Sequence, residues 1–200
     1  MSALEVVIVA NGGANTASLQ YALERQGASS VVCADPARIR SATHVVLPGV
    51  GAAGDAMTRL RRHGLEHLLP TLTQSVLGIC LGMQLLFEYS AEGATPCLGI
   101  IPGRASRFPE APGRPVPHMG WNTLHIERES ALLRGLGAAE HAYFVHSYAL
   151  PMSGATVARS RYGEPFSACV QWQNFYGAQF HPERSAAVGA RLLQNFLAIP

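Results

Sequence analysis

One short stretch constrains the fold of this chain more than any other: Gly78-Ile79-Cys80-Leu81-Gly82, directly after the apolar run Ser75-Val76-Leu77. The run reads as a strand. Leu81-Gly82-Met83-Gln84-Leu85-Leu86-Phe87 reads as a helix that starts at once, so Cys80 sits on a sharp turn between them. Glycines two residues before and two after are what such an elbow needs, because its backbone segments approach too closely for a Cβ. Glycine occupies 20 of 200 positions, so both flanks would be glycine by chance for roughly one cysteine in a hundred. The helix start turns free N–H groups toward the sulfur, where they favour negative charge and can receive an oxyanion. Cys80 is therefore a candidate nucleophile, against the plainer reading of a buried packing cysteine.

A nucleophilic cysteine needs a base. Asn174-Phe175-Tyr176-Gly177-Ala178-Gln179-Phe180 reads as a strand, followed by His181-Pro182-Glu183-Arg184-Ser185. An imidazole at a strand's C-terminal end can take the thiol proton and return it to a leaving amine. A carboxylate two residues on can hold the ring in one tautomer and stabilise its cation. A turn histidine beside a helix-starting glutamate is the alternative for this segment alone, and Cys80 tips the choice toward catalysis.

Composition excludes several chemistries. All fifteen basic residues are arginine, so a phosphate loop with its lysine, or Schiff-base catalysis, is impossible. Net charge is +2 with the arginines scattered, which argues against a nucleic-acid or membrane-surface partner. With 200 residues and 48% hydrophobic content the chain suits one domain with a continuous core, residues 1–200. Glu5 interrupts the first apolar stretch, so no signal pattern is expected there, and the longest apolar run, Ser75 to Phe87, is too short to span a bilayer. Cys33, Cys80, Cys97 and Cys169 show no paired spacing, which fits a reducing cytoplasm.

Strands are expected at Glu5–Ala10, Ser30–Ala34 and His44–Leu47. A helix carrying Leu19, Ala22 and Leu23 on one face runs to about Gly27, and another covers about Gly54 to Arg62. This alternation predicts an α/β fold with a doubly wound, mostly parallel sheet flanked by helices, of the flavodoxin-like kind. Pro102 to Pro117 reads as an irregular surface excursion rich in Pro, Gly and Arg. Trp121–Ile126, Ala142–Val145, Thr156–Arg159, Phe166–Gln171 and Phe175–Gln179 then suggest a small antiparallel extension. A final helix over about Ala186–Ala198 places Val188, Leu192, Leu193, Phe196 and Leu197 on its core face. Two lookalikes are set aside. Gly12-Gly13 lacks the third glycine of a dinucleotide loop, and His63 and His67, spaced like a helical zinc pair, lack the adjacent glutamate; no metal and no cofactor are expected.

Taken together, Gly78 to Gln84 and Phe180 to Ser185 resemble the two signature segments of a class I (triad) glutamine amidotransferase, and the resemblance covers essentially the whole chain. Within that class, Leu47-Pro48-Gly49-Val50-Gly51, Pro117-His118-Met119-Gly120-Trp121-Asn122 and Tyr143-Phe144-Val145-His146-Ser147-Tyr148 are most similar to the glutaminase subunits of imidazole glycerol phosphate synthases, which serve histidine biosynthesis. The acidic residue that often ends strand one is Ala10 here. The resemblance implies that Cys80 attacks the glutamine side-chain amide and that His181 and Glu183 complete the triad. It implies an oxyanion hole from the amide of Leu81 and one from the Val50–Gly51 loop, and a glutamine-binding set of Gln84, Glu92, Ser147 and Tyr148. Asn15, Trp121 and Arg184 match positions that face a (β/α)8-barrel synthase, the partner that consumes the ammonia in a heterodimer. Two other readings stay open: a glutaminase subunit of another amidotransferase, and a catalytically silent binding module of the same fold.

Overall fold

The computed structural model describes residues 4–12 and 16–200. In chain order the elements are β1 (Glu5–Val9), α1 (Thr16–Glu24), β2 (Ser29–Cys33), α2 (Pro36–Ser41), β3 (His44–Leu47), α3 (Ala53–Arg62), α4 (Leu65–Leu68), β4 (Ser75–Ile79) and α5 (Leu81–Leu85). The chain continues through β5 (Phe87–Ser90), β6 (Thr95–Pro96), β7 (Ile101–Arg107), β8 (His118–Ile126), β9 (Glu140–His146), β10 (Tyr148–Ala149), β11 (Thr156–Tyr162), β12 (Glu164–Trp172), β13 (Phe175–Ala178) and α6 (Ala186–Leu197).

The main sheet has nine strands in the order β2-β1-β3-β4-β13-β12-β11-β8-β9. Pairings from β2 through β13 are parallel, and those from β13 through β9 are antiparallel. The class is the expected α/β one, but the antiparallel part is half the sheet rather than a small extension. β13 is the joint, parallel to β4 on one side and antiparallel to β12 on the other.

Alternation along β1 shows why the sheet is covered on both faces. Val6 and Ile8 point into a core built with α1 and α6, while Val7 and Val9 point into one built with α2, α3, α4 and α5. A second, four-stranded sheet, β10-β7-β5-β6, closes this latter core with Phe87, Ile101 and Ala105.

Two expectations need correction. The helix after Cys80 stops at Leu85 and Phe87 already belongs to β5. The amides of Leu98, Ile100 and Ile101 take the carbonyls of Leu85 and Leu86, which draws the chain out of the helix, and a run buried on all sides carries no period to reveal this. The strand Ile101–Arg107 runs into the stretch expected to be irregular, Pro102 to Pro117; only Ile101 and Ala105 are buried in it, so it reads as polar. Leu197, on the core face of α6 as expected, is half-buried and packs against that core. The helix α2 is an addition, with Pro36 at its start and Asp35 Oδ1 accepting from the Ala37 amide at 3.0 Å, a signal legible in the Asp-Pro pair. His63 and His67 do not share a helix. α3 ends at Arg62, Gly64 turns in the left-handed region at φ 67°, and both rings are exposed.

Candidate active site

Parallel β1, β3, β4 and β13 bring their C-terminal ends to one edge of the sheet, where crevices form. Register places Leu47 beside Gly78 and Ala178 beside Ile79, so Cys80 emerges between the exits of β3 and β13. Its amide donates to the Ala178 carbonyl at 2.8 Å. Cys80 has φ 53° and ψ −113°, a strained conformation of the kind that a nucleophile elbow imposes. The flanking glycines have the predicted cause. A Cβ on Gly82 would sit 1.8 Å from the Leu47 carbonyl oxygen, and one on Gly78 would sit 2.7 Å from the Gly82 oxygen. Gly49 meets the elbow from the other side, where its Cβ would lie 2.5 Å from the Gly82 nitrogen. Elbow and Pro48 loop are thus held backbone against backbone.

Past β13 the chain runs through Gln179 and Phe180, both fully buried, to His181. The His181 amide donates to the Tyr143 carbonyl at 3.1 Å. Ser185 Oγ donates to the His181 carbonyl at 2.7 Å and accepts from the Tyr143 amide at 3.0 Å, pinning the turn to β9. His181 Nδ1 and Glu183 Oε1 are 2.9 Å apart, across a short 3-10 turn rather than a helix start. Burial opposes a charge on this imidazole, yet hydrogen bonding to Cys80 and Glu183, together with their charges, outweighs it and raises His181 from 6.5 to about 10. The ring therefore holds its second proton at neutral pH, between sulfur and carboxylate. The same carboxylate's Oε2 is buried with no partner among the described residues.

A cavity of about 440 Å³ joins these groups. It is lined by Cys80, His181 and Glu183, by Val50, Gly51 and Leu81, and by Gln84, Glu92, Ser147 and Tyr148, so every residue expected for catalysis, oxyanion binding and glutamine binding faces one space. Gly51 takes φ 85° with nothing within 4 Å of where a Cβ would be. Glu92 Oε2 accepts from the Ala53 amide at 2.8 Å, tying the far wall to the first turn of α3. Gln84 is 3% exposed and spends its amide hydrogens on the Tyr148 carbonyl and on Gln179 Oε1, each at 2.9 Å.

The residues expected at a partner surface divide. Arg184 lines the cavity, and its guanidinium carbon stands 4.5 Å from the centre of the Tyr143 ring. Trp121 lies outside, 55% exposed, with its ring edge-on to Tyr143 at 5.8 Å. Asn15 lies outside the described residues. Sequence reasoning missed Gln179, Ser185 and the paired imidazoles of His118 and His146, whose nitrogens are 3.0 Å apart. His118 and His146 stood in quoted motifs without a role, and Ser185 ended one; nothing in the sequence singled out Gln179. Among the described residues no group of three or more His, Cys, Asp or Glu could hold a metal ion, and no helix is long and apolar enough to cross a membrane.

The family model for glutamine amidotransferase class-I matches residues 7–199. This chain belongs to that family. The amidotransferase is 51% identical over 194 residues, 97% of its own length and 98% of the relative's, to imidazole glycerol phosphate synthase subunit HisH 2 of Legionella pneumophila (strain Lens). It is 53% identical over 193 residues, 96% of each chain, to the subunit HisH of Xanthomonas euvesicatoria pv. vesicatoria (strain 85-10). The solved structure of PurLQS from Thermotoga maritima superposes on it with a TM-score of 0.75, covering 99% of both chains at 19% identity. At that identity the likeness speaks for the fold.

Proposed function

We propose that this amidotransferase is the glutaminase subunit of an imidazole glycerol phosphate synthase, working in the cytoplasm as a heterodimer with a (β/α)8-barrel subunit. One observation carries the reading: a cysteine on a strained elbow shares a cavity with an imidazole that is hydrogen-bonded to a carboxylate at 2.9 Å. Cys80 Sγ adds to the amide carbon of glutamine, and the carbonyl oxygen becomes an oxyanion. The amide of Leu81 and one from the Val50–Gly51 loop receive it; a donor of this kind is worth about 3 kcal/mol. His181, held by Glu183, gives its proton to the departing nitrogen, and ammonia leaves a thioester on Cys80. The neutral ring then takes a proton from water, hydroxide adds to the thioester, and glutamate departs with the sulfur restored. Gln84, Glu92, Ser147 and Tyr148 line the part of the cavity that would take the amino-acid end of the substrate.

Free ammonia is almost wholly ammonium at neutral pH and is then no nucleophile, so a glutaminase works usefully only beside its consumer. Exposed side chains on the face that carries Arg184 support such a neighbour. Trp121 at 55% and Met119 at 62% exposure share a face with Tyr143 and Arg184, the kind of aromatic and arginine set that anchors interfaces. The test is glutamine hydrolysis by the chain alone, with the barrel subunit, and with that subunit plus its nucleotide substrate. Turnover that rises with the partner, with imidazole glycerol phosphate formed from glutamine, is the expected result. A chain inert toward glutamine in all three conditions would sink the reading.

A further inference from the structure

Gln179 is fully buried between β13 and His181, and the triad makes no use of it. Its Nε2 lies 3.7 Å from Cys80 Sγ, and its Oε1 is 2.9 Å from Gln84 Nε2. Which end of a glutamine amide faces which neighbour is settled only by the neighbours. Here they leave one solution. The Tyr148 carbonyl oxygen can only accept, and it is met by Gln84 Nε2 at 2.9 Å and by His146 Nδ1 at 2.8 Å. Gln84 must therefore present nitrogen, its second hydrogen goes to Gln179, and Gln179 must turn its oxygen to Gln84. An N–H is what remains for the sulfur.

The other branch from Tyr148 agrees. With hydrogen on Nδ1, His146 accepts at Nε2 from His118 Nδ1 at 3.0 Å. His118 Nε2 then accepts from Asn122 Nδ2 at 3.1 Å, whose other hydrogen goes to the Arg161 carbonyl at 2.9 Å. The scheme needs one proton on each ring. Burial supplies that condition, lowering His118 to about 4 and His146 to about 3.

The surroundings of the sulfur give this donor its use. As a thiol, Cys80 donates to the Val145 carbonyl at 3.7 Å, a partner that offers nothing to an anion. We infer that Gln179 donates a hydrogen bond to the Cys80 thiolate, and that Gln84, the Tyr148 carbonyl, His146 and His118 form a positioning chain that keeps its amide from turning over. His181 supplies the charged partner; Gln179 supplies a fixed neutral one that stays when the imidazole has given its proton away. Losing it raises the energy of the anion formed when the thioester breaks, and leaves substrate binding alone.

This inference rests on Cys80 being the nucleophile of the proposed glutaminase, and the test separates the two. Gln179→Met keeps length and removes the donor; Gln179→Leu guards against a poorly packed methionine. In either variant the Cys80 thiolate absorbance should appear about one pH unit higher than in wild type. Correspondingly, kcat should fall about tenfold with KM within twofold, a split that loosened packing would not produce. A cooperatively melting variant with the wild-type titration and kcat overturns the inference. If neither variant melts cooperatively, Gln84→Met leaves Gln179 in place but free to turn. It should then show the same shift at smaller size, and wild-type behaviour there overturns the positioning chain. Glutamine turnover kept in Cys80→Ala overturns the glutaminase reading instead.

Discussion

The two halves of the main sheet do different work. In the parallel half, β3, β4 and β13 are short and buried at every position, because helices or the second sheet cover both faces. Such strands leave no side chain to recognise anything, but their ends all point one way. Cys80, the Pro48 loop and, past β13, His181 leave from that edge, each with free backbone amides or a fixed turn. In the antiparallel half, β8 and β9 expose part of one face, where Met119 and Trp121 stand. This half gives the cavity a wall through Val145 and His146 of β9, which Ser147 carries on to Tyr148 of β10 in the second sheet. On the proposed reading, the difference teaches that chemistry gathers where strands end together, and recognition where a sheet face stays open.

The sharpest way to break this comparison is Cys80→Ala. Glutamine turnover should fall by about 10⁴-fold or more, with melting temperature and partner affinity held near wild type. Residual activity near wild type would mean that the parallel edge is not the catalytic one.

Glu183→Gln comes next, with kcat expected to fall about a thousandfold. Its pH signature is more telling. His181 sits raised to about 10 with Glu183 as one cause, so the alkaline fall of kcat belongs near that value in the wild type and should move toward neutral in the variant. Stability carries the same sign. A folded-state value above the ordinary 6.5 means that this site's contribution is whole below about 6.5 and is lost as pH rises through about 10, which denaturant melts along a pH series would reveal. A stability that instead rises across that window would contradict a protonated His181.

Gly82 sets elbow against loop, and Gly51 serves as its control. In Gly82→Ala a Cβ would meet the Leu47 carbonyl at 1.8 Å, so unfolding free energy should drop by at least about 3 kcal/mol, measured by denaturant titration. Gly51→Ala has open space around it and bears only the strain of φ 85°, about 1 kcal/mol. Equal losses at the two positions would mean that the backbone approach is not what holds the elbow.

The smallest effect on the isolated chain belongs to the open face. Trp121→Ala should change stability by no more than about 0.5 kcal/mol and leave basal glutamine hydrolysis unchanged. Affinity for the proposed barrel subunit, read by titration calorimetry, should weaken about tenfold or more. Unaltered affinity would take Trp121 out of the interface and shift recognition elsewhere on the antiparallel half.

How much of this was legible in the residues varies with the range of the cause. The elbow at Gly78 to Gly82 and the His181–Glu183 pair are written in spans of five and three residues, since local backbone sterics and a two-residue reach decide them. Strand–helix alternation announced the doubly wound sheet for the same reason: burial on both faces leaves continuous apolar runs. What the sequence could not disclose were features settled by partners far along the chain. The early end of α5 and the strand β7 depend on carbonyls captured by Leu98 to Ile101 and on pairing with β5 and β10. Gln84 meets Gln179 across 95 positions and His118 meets His146 across 28, so the direction of their hydrogen bonds exists only once the sheet has brought them together. A polar side chain has no role until its neighbours are known, because it can donate or accept, and only the fold decides which.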